Sequence, residues 1–172
     1  MEKHKIFISF YHKDDDRYKR YLVDRFSYLF INKSVENGEY DPDDSDEYVK
    51  RLIREDKITD SSIIVVLIGP NTYKRKHVDW EIYAGLRESI NGRSALLGIV
   101  LPEYRLDAGN KFRYEDIPAR LADNVKSGYS KIYSWSYAIQ NFSQIINDAF
   151  NEKNSIKNKA DNSRQQMKYN RS

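Results

Sequence analysis

No cysteine occurs in the 172 residues. Disulfides, thiolate metal sites and cysteine nucleophiles are therefore all excluded, and the absence fits a reducing compartment. Histidine is almost as scarce: His4, His12 and His77 stand apart, with no two at ligand spacing. The acidic run 41-DPDDSDE-47 lacks the sixth-position glycine and the closing glutamate of a calcium loop. The expectation is that no metal is bound. Glycine is limited to seven residues, which form neither a Walker phosphate loop nor a dinucleotide fingerprint. A phospho-acceptor receiver domain is disfavoured as well. The acids 14-DDD-16 suit one, but the middle apolar run ends in 67-LIGPNT-72, without the aspartate a receiver needs. No apolar stretch approaches the roughly 20 residues of a membrane span, and the one in 1-MEKHKIFISF-10 is too short for a signal peptide. These absences lead to the expectation of a soluble, cytoplasmic chain with no membrane partner.

What is present is charge and tyrosine. Charged residues make up 32% and apolar residues 40%, so the core must be concentrated in a few strongly apolar segments. The 14 tyrosines suit pocket walls and core edges, where a ring is buried and a hydroxyl stays wet. Net charge is +3, and residues 151–172 alone carry six Lys/Arg against two Asp/Glu, which leaves the body at −1. A nucleic-acid binder carries its basic patch on the folded body. Here the excess lies in a polar tail, which argues against nucleic acid as a partner. The chain divides into a domain over 1–150 and a basic tail or helix extension over 151–172.

Four apolar runs read as strands: 5-KIFISF-10, 62-SIIVVLIG-69, 95-ALLGIVLP-102 and 130-SKIYSW-135. The second is continuous rather than alternating, the signature of a strand covered on both faces. Helical periodicity occupies roughly 15–31, 46–58, 77–91 and 136–151, the last with Ile139, Phe142, Ile145, Ile146 and Phe150 on one stripe. Asp44 and Glu47 have capping-box spacing ahead of the second. The turn-rich stretch 33–44 has room for a weak edge strand, and the irregular 103–128 for a short helix near 118–124. Strands alternating with helices predict an α/β fold of three layers, with a mainly parallel central sheet of four to five strands. Such sheets bind ligands beyond the carboxyl ends of their strands, here after Phe10, Gly69 and Leu101.

One acid stands out in 77-HVDWEIYAGLRESI-90. On a helical wheel Val78, Ile82, Leu86 and Ile90 share a face about 120° wide, and Glu81 lies roughly 120° from its centre. Its neighbours along the helix include Ala84 and Gly85, which leave space for close approach. Periodicity alone leaves two readings of Glu81 open, a solvated surface acid or a functional one.

Three stretches carry a family resemblance. The opening 7-FISFYHKD-14 is similar to the TIR signature of strand, serine, aromatic and, four residues later, aspartate. The segment 61-SSIIVVLIGPNTYKRKHVDWEI-82 resembles the TIR central strand, turn and glutamate-bearing helix. The late segment 117-IPARLADNVKSGYSKIYSW-135 completes the likeness. Together they resemble the TIR-domain superfamily, and within it the TIR-like ThsB family of Thoeris anti-phage defence systems. The resemblance implies a flavodoxin-like fold and makes Glu81 the match to the glutamate that cleaves the nicotinamide N-glycosidic bond of NAD. It implies NAD as substrate with no prosthetic group, a cyclic or conjugated ADP-ribose product that activates a downstream effector, and room for a homo-oligomer. Candidate nucleotide contacts are Ser9, Phe10, Tyr11 and His12 after the first strand, Thr72 and Tyr73 after the central strand, and His77. Relatives often have tryptophan at the place of His77, and the stretch 36–45 is shorter and poorer in glycine than the assembly loop typical of TIR domains. Two other readings stand beside this one: a noncatalytic assembly module, and a nucleoside-processing transferase of related fold.

Overall fold

The computed structural model describes residues 3–34, 54–89 and 92–172. The expected capping box at Asp44 and Glu47, the shortened loop at 36–45 and the core position Ile90 lie outside them. So does most of the expected helix at 46–58, of which residues 54–58 are described and helical, the helix running to residue 59. No helix among the described residues is long and apolar enough to cross a membrane.

Five strands form one parallel sheet: β1 (His4–Ser9), β2 (Phe30–Asn32), β3 (Ile63–Ile68), β4 (Ala95–Val100) and β5 (Lys131–Ser134), in the spatial order β2-β1-β3-β4-β5. This is the doubly wound flavodoxin-like order, in which the sequence order reverses between β1 and β3. Every residue of β3 and β4 is buried because both faces of the sheet are covered. Strand alternation divides the core in two. Ile6, Ile8, Val65, Leu67, Leu97 and Ile99 pack on one face beneath α1 (His12–Phe26), α4 (Trp135–Gln140) and α5 (Phe142–Glu152). Phe7, Ile64, Val66, Ile68, Leu96 and Val100 pack on the other against Val78 and Ile82 of α2 (Lys76–Leu86) and Leu121 of α3 (Ala119–Ser127).

Three boundaries differ from the periodicity. The helix expected over 15–31 ends at Phe26, and residues 30–32 pair with β1 as an edge strand, Phe30 facing the core and Ile31 facing solvent. Strand pairing takes these residues because a turn from Leu29 N–H to the Phe26 carbonyl closes the helix and Lys33 N–H bonds to the Ile6 carbonyl. The helix expected over 136–151 is two. The Asn141 backbone and side-chain amides both donate to the Tyr137 carbonyl and close α4, after which α5 starts afresh. In the irregular stretch after β4, α3 spans residues 119–127 and ends on left-handed Gly128 (φ 88°).

The C-terminal residues run along the outer side of α2 and α3. At the centre of this contact is a buried pair. Arg120, fully enclosed, donates from Nε to Asp79 Oδ1 at 2.9 Å. Asp79 Oδ2 in turn accepts the Met167 backbone N–H at 2.8 Å. Asn162 takes an Arg120 N–H at 3.0 Å and donates to the Tyr83 carbonyl, and Trp80 Nε1 donates to the Met167 carbonyl at 2.8 Å. Asn170 accepts from the Lys76 backbone at the first turn of α2. The tail thus holds α2 along most of its length, from Lys76 to Tyr83.

Candidate functional site

The carboxyl end of β1 and the helix α2 meet around one acid. Ser9 is the last residue of β1 and, by alternation, faces the same side as Phe7, toward α2. Its hydroxyl donates to Glu81 Oε1 at 2.8 Å. The second carboxylate oxygen faces Arg54, whose Nε lies 3.4 Å away. Glu81 is only 2% exposed, so the solvated reading is removed. The wheel placed Glu81 off the aliphatic face, yet it is buried along with Val78, Ile82 and Leu86. What buries it is the helical segment at 54–59 and the end of β1, which close over this flank of α2. The space beside Gly85 is occupied too. A Cβ there would come within 2.7 Å of Ile64 Cγ1, so glycine serves the close seating of α2 on β3 rather than an opening.

Burial raises the Glu81 carboxyl from an ordinary 4.5 to about 7, against the opposing pull of the Arg54 charge and the Ser9 hydrogen bond. The acid therefore exchanges its proton near neutrality, which suits either stabilising a cation or accepting a proton.

Two residues of the β1 exit, Phe10 and His12, converge on His77, one turn before Glu81. His77 Nε2 bonds the Phe10 carbonyl at 3.0 Å. Burial first, then the Arg54 charge, lower its titration to about 3, with His12 and Arg75 adding to the same effect. The ring is thus neutral and donates from Nε2, which leaves Nδ1 as an acceptor. His12 stacks on Phe10 with centroids 4.2 Å apart and meets His77 edge-on at 5.9 Å. It too stays neutral, lowered to about 4 mainly by burial. Phe10 itself is core, at 1% exposure. Tyr11 carries the Arg75 guanidinium over its ring at 4.5 Å.

The two candidates after β3 stand apart from this cluster. Thr72 is fully buried, accepting from Gly69 N–H at 2.8 Å and donating to the Leu67 carbonyl at 3.3 Å, so its hydroxyl is used in holding the turn. Tyr73, partly buried, has the Lys74 ammonium 5.6 Å from its ring centre. Beside this turn lies Asp15, 3% exposed. Among the described residues its Oδ2 has no hydrogen-bond partner, and it is raised to about 6 by burial and then by the Asp14 charge.

Sequence reasoning missed Arg54 and Arg75. Arg54 reaches Glu81 across 27 positions, and only the chain's path brings them together. Arg75 had a local signal, a cation within the matched stretch just before the helix that bears Glu81.

This arrangement lies inside the region that matches a known family. The model of the family described as Thoeris protein ThsB, TIR-like domain, matches residues 7–105. That span runs from β1 through β4 and includes both Ser9 and Glu81. No curated protein matches the chain.

Proposed function

Because the chain belongs to the TIR-like family of the Thoeris protein ThsB, whose model covers more than half of its length, we propose that it is an NAD-consuming signalling enzyme of antiviral defence, with Glu81 as its catalytic carboxylate. The observation that carries this reading is the enclosed carboxylate held by Ser9 and Arg54 at the end of β1.

In this reaction the bond between ribose C1′ and the nicotinamide nitrogen breaks, and its electron pair leaves with nicotinamide. Positive charge builds on the ribose, and the Glu81 carboxylate stabilises it where bulk water is excluded. Ser9 and Arg54 favour the ionised form against burial and aim the carboxylate. Attack on C1′ by water gives ADP-ribose and a proton; attack by a nucleophile of the same or a second nucleotide gives a cyclic or conjugated product. Glu81, titrating near 7, accepts the proton released by the attacking group. The product then acts on a separate effector.

Purified protein incubated with NAD, with and without a phage trigger, tests this by release of nicotinamide. The expected result is release by the wild type and a loss of at least about 100-fold in Glu81→Gln, the scale of losing a preorganised electrostatic partner. No release under triggered conditions, or equal release by the variant, overturns it.

The near-complete enclosure of Glu81 favours a second reading, in which Ser9–Glu81–Arg54 is a structural lock in a noncatalytic assembly module. In that case Glu81→Gln retains biological function, and the protein forms concentration-dependent oligomers.

A further inference from the structure

Arg75 is a cation that no described residue neutralises. Among the described residues its side chain makes no ion pair and no hydrogen bond: Nε is buried without a partner, and the guanidinium lies over the Tyr11 ring. Arginine presents five donors in a planar fork, and buried donors left unpaired are rare enough to require a reason. Stacking on a ring satisfies the face of a guanidinium but none of its N–H groups. The other guanidinium beside the cluster, Arg54, is engaged by Glu81.

The position of Arg75 gives the reason. Glu81 is bonded to Ser9, and Arg75 sits on Tyr11, two residues further along an extended backbone. Two such residues span about 7 Å, a separation of the order of one ribose with its 5′-oxygen. A nucleotide with its glycosidic carbon at Glu81 and its ribose along the β1 exit brings its first phosphate to this guanidinium. We infer that Arg75 receives the pyrophosphate of the dinucleotide substrate, with Tyr11 holding the fork in plane, and so selects dinucleotides over nucleosides. The match is chemical as well as positional: planar forks bind phosphate oxygens in pairs, which an ammonium cannot reproduce.

This inference rests on the reading of Glu81 as catalytic, and the experiment separates the two. Binding is measured by calorimetry in the Glu81→Gln background, where no turnover interferes, with ADP-ribose and with nicotinamide riboside, which lacks phosphate. Arg75→Met is expected to weaken ADP-ribose by about tenfold or more, the scale of a charged hydrogen-bonded contact, and to leave nicotinamide riboside within about twofold. Arg75→Lys restores only part of the loss. In the active protein the same substitution raises KM for NAD and leaves kcat close to the wild type. Unchanged ADP-ribose affinity in Arg75→Met, or no ADP-ribose binding by the parent, overturns the inference. Equal loss of nicotinamide riboside also overturns it, since that marks Arg75 as a structural support. Should NAD turnover be absent while ADP-ribose binding still depends on Arg75, the catalytic reading fails and the anion site stands.

Discussion

Ser9 and Glu81 are 72 positions apart in sequence and share a 2.8 Å hydrogen bond with neither side chain in contact with bulk water. This bond joins the last residue of the first strand to the middle of α2, and it fixes one oxygen of a carboxylate that titrates near 7.

Removing the hydroxyl changes both the aim and the proton affinity of the acid. Ser9 stabilises the ionised form of Glu81, so Ser9→Ala raises the Glu81 titration further. The expected result is nicotinamide release lowered about tenfold at neutral pH, the scale of one hydrogen bond to a charge. Part of the rate should return at higher pH. A pH–rate profile checks this, since its acidic limb should move upward in Ser9→Ala. A fall that is uniform at all pH values would contradict the role.

Glu81 also makes stability depend on pH, with a definite sign. Its folded titration is raised from 4.5 to about 7, so the folded protein holds this proton more tightly than the unfolded chain. The contribution is fully present below about 4.5 and is lost as pH rises through 7. Across that window the loss is on the order of 3 kcal/mol. Glu81→Gln has no such group, so its melting temperature should exceed that of the wild type by a margin that grows from pH 5 to pH 8. His77 and His12 act in the opposite sense, being lowered to about 3 and about 4. Their contribution is present above 6.5 and lost as pH falls, so both proteins should weaken together on the acid side. Melting curves across pH check the margin, and a margin that shrinks with rising pH would contradict it.

The buried pair beneath the tail is sensitive to loss of one partner. Arg120→Met leaves the Asp79 carboxylate enclosed with the Met167 N–H as its remaining hydrogen-bond donor among the described residues. The expected cost is about 3–5 kcal/mol, the usual price of an uncompensated buried charge. Substituting Asp79→Leu along with Arg120→Met should recover much of it. Chemical denaturation of the single and double variants checks both values, and limited proteolysis checks that the tail loosens in the single variant.

Much of the sheet was legible because its strands are apolar without interruption. The run 62-SIIVVLIG-69 has no polar face, and only a strand covered on both sides accommodates that. The helix bearing Glu81 was legible from Val78, Ile82 and Leu86. The edge strand at 30–32 was not, since three residues are too few to show alternation and they follow a helical pattern without a break. The division at Asn141 was hidden because the stripe continues from Ile139 to Phe142, and a side-chain bond to the Tyr137 carbonyl leaves no mark in periodicity. Among the site residues, the β1 exit and His77 are brought together, whereas Thr72 is committed to the turn after β3.

The chain's apolar runs and their spacing determined by themselves that a parallel sheet would form with helices on both faces. These are short-range matters of periodicity. The state of Glu81 was decided only by tertiary structure. Its burial raises its proton affinity, and the two partners that oppose that rise, Ser9 and Arg54, lie 72 and 27 positions away. A carboxylate's chemistry is set by the dielectric and charges around it, and those are assembled only when distant segments close over the same helix.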